Sequence, residues 1–199
     1  MRQAWLRQRG NSNRGHSNFW PAHSYADWYD GVFGHCRESV RSVFECGVGT
    51  ILPGAPSTFG APGTPGASLR VWRKYFPNAR ICGADGNREV SFQDHRISTH
   101  YLDQTSPASI AALWHGIEAT EFGLMIDDGL HTFEAGLCLF EHAFFILGKN
   151  GIYEIEDVTL LSMMKFARYF NTKSYNVEFV NLHRPNQALA DNALIVIRN

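Results

Sequence analysis

From residue 41 onward, short apolar runs alternate with segments whose apolar residues recur every three or four positions. The runs Arg41 to Cys46, Ala79 to Ala84, Ile97 to Leu102, Phe122 to Ile126 and Gly151 to Ile155 predict five strands. Tyr175 to Leu182 and Ala193 to Ile197 predict two more. Helical spacing covers Ala67 to Tyr75, Pro107 to His115, His131 to Leu147 and Leu160 to Phe170. Ser106 and Pro107 suit the cap and first position of their helix. Phe133, Leu137, Phe140, Phe144 and Leu147 share one face of the long helix, and Gly148 to Gly151 would terminate it. A further helix starts behind Ser24, with Tyr25, Trp28, Tyr29 and Val32 at helical spacing. Such alternation predicts an α/β fold, a parallel sheet covered by helices on both faces. The last two strands leave no room for a helix between them, which predicts an antiparallel hairpin at one edge.

The chain has 199 residues, 44% of them hydrophobic and 19% charged, with a net charge of -1. That is one domain's length with a sizeable core, which excludes disorder over the whole chain. A balanced charge gives no general attraction for phosphate, so no nucleic-acid partner is expected. The longest apolar runs, Ala143 to Leu147 among them, fall far short of the roughly 20 residues of a membrane helix. The first nine residues lack the apolar stretch of a secretory signal. Cys36, Cys46, Cys82 and Cys138 form no C-x-x-C pair and read as thiols in a reducing compartment. The expectation is a cytoplasmic protein with no membrane partner; a homo-oligomer is left open. Residues 1–23 carry Arg2, Arg7, Arg9 and Arg14 and no acid, and read as a basic flexible arm before a single domain over 24–199.

Ligands of such a sheet bind at the carboxyl ends of its strands. The first strand ends in Glu45-Cys46-Gly47-Val48-Gly49, where glycine lets the backbone turn tightly. Leu52 stands where a dinucleotide fingerprint needs its third glycine, so a pyrophosphate cradle is not indicated. The second strand ends at Asp85, an acid suited to two ribose hydroxyls, and the third at Asp103-Gln104, suited to an adenine edge. Each feature alone also suits a strand-end turn or a helix cap. Together they outline a pocket for a nucleoside without a pyrophosphate.

Here the sequence resembles the class I S-adenosylmethionine-dependent methyltransferases. Val43 to Gly49 is similar to that family's first motif, Asp85 to its ribose-binding acid and Asp103 to its adenine-side acid. The resemblance runs from about residue 40 onward. It implies a Rossmann-like sheet of seven strands in the order 3-2-1-4-5-7-6, strand 7 antiparallel. It also implies that Glu45, Gly47, Gly49, Ser68, Asp85, Asp103, Gln104 and Asp127 line the S-adenosylmethionine site, with Ser68 at the methionine part. The chain departs from the family in a Pro/Gly-rich insertion, residues 52–66, which suits either a lid or a surface loop.

The fourth strand ends in Asp127-Asp128-Gly129-Leu130-His131, the fifth in Glu154-Ile155-Glu156-Asp157. On neighbouring strands these ends would lie about 5 Å apart. Converging carboxylates require a cation or a shared proton. All-oxygen ligation selects a hard ion such as Mg²⁺. Capping and dipole complement also suit Asp127 and Asp128. Glu154 has no evident role. Asp-Asp-Gly-x-His with Ile-Glu-Asp resembles the metal-dependent sugar O-methyltransferases of macrolide biosynthesis and the related cephalosporin hydroxylase group. The resemblance implies that Asp128, Glu156 and Asp157 hold Mg²⁺ and that His131 is the general base. Leu130 replaces the family's usual Ser. The implied reaction is methyl transfer to a hydroxyl of a small polyhydroxylated or sugar-bearing acceptor. A metal-independent methyltransferase, a hydroxylase-like enzyme and a degenerate scaffold are the alternatives. Residues 183–191 could contact the acceptor or form an ordinary loop. Tyr25, Trp28 and Tyr29 could stack on a ring or pack on the core.

Overall fold

The structure is a computed structural model that describes residues 25–51, 63–117, 121–182 and 190–199. One sheet carries the fold. Its strands are β1 (Ser42–Cys46), β2 (Arg80–Asp85), β3 (Gln93–Asp94), β4 (Ile97–Tyr101), β5 (Phe122–Asp127), β6 (Leu147–Ile155), β7 (Asn176–Asn181) and β8 (Ala193–Arg198). They lie in the order β3-β4-β2-β1-β5-β6-β8-β7. The central strands β4, β2, β1, β5 and β6 are parallel, while β8 runs antiparallel between β6 and β7. The order of the seven expected strands and the reversed last strand agree with the expectation. The eighth strand, β3, is a two-residue edge pairing antiparallel to β4, too short to leave a pattern in the sequence.

The helices are α1 (Tyr25–Phe33), α2 (Ala67–Tyr75), α3 (Pro107–Gly116), α4 (Phe133–Ala143) and α5 (Leu160–Phe170). Ser106 caps α3, accepting from the Ser109 amide with Pro107 in the first turn. Strand residues alternate between two apolar layers. Tyr25, Tyr29 and Phe33 of α1, Leu69 and Trp72 of α2 and Phe76 at the end of α2 cover one face together with Val43, Ile126 and Val196. Ile110, Leu139, Phe140 and Phe166 of α3, α4 and α5 cover the other with Phe44, Met125 and Tyr153.

The segment expected as one helix over 131–147 is divided. His131 has a positive φ of 55° and stays outside the helix, which Thr132 caps by accepting from the Ala135 amide. α4 ends at Ala143 and a 3-10 turn, Phe144–Ile146, leads into β6. Gly148 to Gly151 therefore do not cap a helix. They form an irregularity in β6, which runs from Leu147 to Ile152 alongside only Phe122 to Leu124 of β5. The apolar face read in the sequence remains inward, with Phe140 and Leu147 buried and Phe133, Leu137 and Phe144 packed against them. A period-3.6 pattern cannot tell a helix turn from the start of a buried strand when both are apolar.

The basic arm 1–23, residues 52–62 of the insertion and residues 183–189 lie outside the described residues. Among the described residues no helix is long and apolar enough to cross a membrane. All four cysteines are free.

Phe140 is fully buried and meets the rings of Phe144, Tyr153, Phe170 and Tyr175 edge-on or tilted. Phe140→Ala is expected to cost about 3–5 kcal/mol and to lower Tm by roughly 10 °C. A thermal melt within two degrees of the parent would contradict this placement of the core.

Candidate functional site

The parallel strands end together. Cys46 pairs with Ala84 on one side and Asp127 on the other, and Asp127 pairs with Ile155. Gly47, Asp85, Asp128 and Glu156 therefore leave the sheet side by side. Gly47 turns away at φ 97° and Gly49 at φ 92°, a region open to glycine. A Cβ on Gly47 would overlap the Asp128 carbonyl oxygen, so the two strand ends touch through main chain.

Asp85 faces this turn. Its Oδ2 accepts from the amides of Val48 at 2.9 Å and Gly49 at 3.2 Å, and its Oδ1 from that of Asn87 at 2.8 Å. The Gly66 amide donates to the Val48 carbonyl, which brings the first turn of α2, with buried Ser68, against the same loop. Glu45 is turned the other way. It lies in the α2 layer, where its Oε2 accepts from the Trp72 indole. Asp103 closes a local turn, accepting from the Thr105 amide and hydroxyl. Gln104 is buried and spans the loop after β5. Its Nε2 donates to Asp127 Oδ1 at 2.6 Å and its Oε1 accepts from the Leu130 amide at 3.0 Å. The structure thus gives Gln104 a bracing contact that the sequence offered no sign of.

Three of the predicted metal-side residues come together. His131 Nε2 lies 3.4 Å from Asp128 Oδ1, and His131 Nδ1 lies 3.8 Å from Asp157 Oδ2. The ligand atoms of Asp128, His131 and Asp157 all fall within 4.8 Å of one another. Glu156 is outside this cluster. It is buried beneath, its Oε1 accepting from the Tyr29 hydroxyl at 2.7 Å. The Tyr25 hydroxyl donates to Asp157 Oδ1 at 2.6 Å. Both tyrosines are buried in the core layer, so the ring-stacking role open to them in the sequence is not the one they fill. Their helical spacing was legible; the acids they meet, some 130 residues away, were not. His131 at φ 55° and Asp157 at φ 54° are both left-handed. Such backbone costs about 1–3 kcal/mol per residue away from glycine and collects at functional sites.

The electrostatics follow from burial. Burial opposes a charged His131, but the hydrogen bond and charge of Asp128, joined by the charges of Asp157 and Asp127, push its pKa up to about 9. Burial pushes Asp127 up to about 6 despite the amides of Gly129 and Gln104. Its Oδ2 meets no hydrogen-bond partner among the described residues. Burial also raises Glu154, fully enclosed beside Glu156, to about 8. A cation between Asp128 and Asp157 would offset the charge that raises His131. The donor set, carboxylate oxygens with one imidazole, suits a hard or borderline divalent ion.

No family model matches the chain. Over 142 residues it is 30% identical to the 8-demethyl-8-alpha-L-rhamnosyl tetracenomycin-C 2'-O-methyltransferase of Streptomyces olivaceus, covering 71% of this chain and 35% of that protein. Over 136 residues it is 29% identical to the demethylmacrocin O-methyltransferase of Streptomyces fradiae, covering 68% and 32%. The chain is similar in sequence to these two O-methyltransferases. It spans about a third of the length of both. The MycE methyltransferase of the mycinamycin pathway, solved with Mg, SAH and mycinamycin VI, shares its fold. The TM-score is 0.62 at 24% identity, over 87% of this chain and 49% of that one.

The raised pKa values have one sign. Between pH 6.5 and about 9 the folded chain keeps a proton on His131 that the unfolded chain has lost. Between pH 4.5 and about 8 it does the same at Glu154. Stability gained through His131 is complete below pH 6.5 and disappears as pH rises through 9, while the cost of Glu154 grows over its own window. The metal-free protein is therefore expected to lose Tm, by about 5 °C or more, between pH 5 and pH 9. Glu154→Gln is expected to flatten the lower part of that profile. Differential scanning calorimetry reads both; a Tm that rises across this range would refute the assignment.

Proposed function

We propose that this chain transfers a methyl group from S-adenosylmethionine to a hydroxyl of a small polyhydroxylated acceptor of the sugar-bearing kind. The observation that carries the reading is the imidazole of His131 set between Asp128 and Asp157 at the ends of adjacent strands. The names of the relatives, all O-methyltransferases of glycosylated natural products, support the reaction class. Mg and SAH in the MycE structure support the cofactor class.

In this reading Gly47, Gly49, Ser68 and Asp85 form the wall for the nucleoside and methionine ends, with Asp103, Gln104 and Asp127 on the adenine side and Glu45 behind it. Asp128 and Asp157 would hold a divalent cation such as Mg²⁺, and Glu156 would join them only by turning from its present contact with Tyr29. When bound, S-adenosylmethionine supplies an activated methyl group, and the cation lowers the pKa of a nearby hydroxyl. His131 accepts the hydroxyl proton as general base. Its work requires the neutral ring, a form that a cation held by Asp128 and Asp157 would favour by cancelling the two charges that raise it. Asp128 and Asp157 also fix the plane of the ring by facing its two nitrogens. Alignment of the acceptor oxygen with the methyl carbon would supply much of the rate.

The reading is tested with radiolabelled S-adenosylmethionine and a panel of rhamnosyl and macrolide-sugar acceptors. Methyl incorporation that falls with a chelator and returns with Mg²⁺ is expected. His131→Ala should lower turnover about 10²–10⁴-fold while leaving S-adenosylhomocysteine binding, read by thermal shift, unchanged. Asp128→Asn should raise the Mg²⁺ needed for half-maximal activity about tenfold or more. Full activity in His131→Ala would remove the base assignment, and no thermal shift with saturating S-adenosylhomocysteine would remove the cofactor.

A further inference from the structure

Consecutive residues of a strand point to opposite faces of the sheet. Glu156, just beyond β6, turns toward α1, where Tyr29 donates to its carboxylate. By alternation Asp157 would face the opposite layer. Its left-handed backbone, φ 54°, breaks the alternation and brings its carboxylate back to α1.

There it meets Tyr25. One hydroxyl makes two contacts with the same residue: it donates to Asp157 Oδ1 at 2.6 Å and accepts from the Asp157 amide at 3.1 Å. The amide contact holds the turned backbone and the carboxylate contact holds the side chain. The other oxygen, Oδ2, is the one that faces His131 Nδ1. Tyr25 and Tyr29 are four residues apart, one helical turn, and so share a face of α1. That face presents two hydroxyls to two successive acids. The ring of Tyr25 is fully buried, which fixes the height of its hydroxyl against the strand end.

We propose that Tyr25 is a positioning residue for the acid Asp157: its hydroxyl locks the left-handed turn, engages Oδ1 and leaves Oδ2 aimed at His131 and at the cation. The inference rests on the metal site of the preceding reading. It adds to that site a residue from the far end of the chain, acting through Asp157 and touching neither substrate nor cofactor.

The test is Mn²⁺ binding to the full chain, read by the electron paramagnetic resonance signal of the free ion, with no acceptor or S-adenosylmethionine present. Tyr25→Phe removes the hydroxyl and keeps the ring. It is expected to weaken Mn²⁺ binding about 10-fold or more, as loss of a group that orients a ligand does elsewhere. Tyr75→Phe is the packing control. It removes a hydroxyl that joins α2 to the Tyr29 carbonyl and to Asp30, away from the strand ends, and should bind Mn²⁺ like the parent. Unchanged affinity in Tyr25→Phe, or an equal loss in Tyr75→Phe, overturns the proposal while the metal site stands. A parent chain that binds no Mn²⁺ at millimolar concentration removes the metal site itself, and the proposal with it. A second readout needs no metal. Glycine tolerates a positive φ, so in an Asp157→Gly background Tyr25→Phe should lower Tm by much less than it does in the parent. An equal drop in both backgrounds overturns the proposal.

Discussion

Asp127 of β5 lies opposite Ile155 of β6, and the residues that follow leave the sheet at one level. This register is what the site depends on. Strand pairing fixes it through backbone hydrogen bonds and through the burial of Ile126, Glu154 and Val196 in one layer and Met125, Tyr153 and Ile197 in the other. A slip by one residue would exchange the layers and separate Asp128 from Asp157. Gly47 adds a second constraint from β1, since only a residue without a side chain fits against the Asp128 carbonyl. The turn after β1 and the turn after β5 are thus fixed to each other by main chain.

Around that edge the fold concentrates negative charge in a place where water is scarce. Asp127, Glu154 and Glu156 are buried, and Asp128 and Asp157 are largely so. Such a group is costly unless protons, hydrogen bonds or cations answer it. Each answer is visible. Glu154 and Asp127 hold their protons more tightly than free carboxyls, Gln104 and the two tyrosines of α1 donate hydrogen bonds, and His131 supplies a positive ring. The strained backbone at His131 and Asp157 belongs to the same arrangement.

Much of this was legible in the sequence because the informative residues sit at strand ends, and strand ends are where apolar runs stop. α2 and α5 begin and end where the spacing places them, and Asp128, His131 and Asp157 converge from two local motifs. What was not legible depended on side-chain direction or distant contact. Glu156 reads as an equal of Asp157, yet alternation turns it to Tyr29. Gln104 reads as a ligand contact, and nothing in its local sequence shows that its amide also braces Asp127 and Leu130. Glu45 ends an apolar strand at the glycine turn, but its parity on β1 directs it to Trp72. The helix over 131–147 was overextended because Leu147 begins a strand on the same apolar face.

The placement of β8 between β6 and β7 bears on how the chain is made. β7 pairs with β8 along its whole length, and β6 offers β8 its outer edge. Without β8, β6 and β7 are two strands with open hydrogen-bonding edges, and that of β6 is flanked by buried residues. Open edges of this kind invite pairing with other chains. This side of the sheet is complete only when residues 193–198 insert between two strands that precede them in the chain. The placement therefore leaves β6 and β7 with open edges, sensitive to aggregation, until β8 is in place between them.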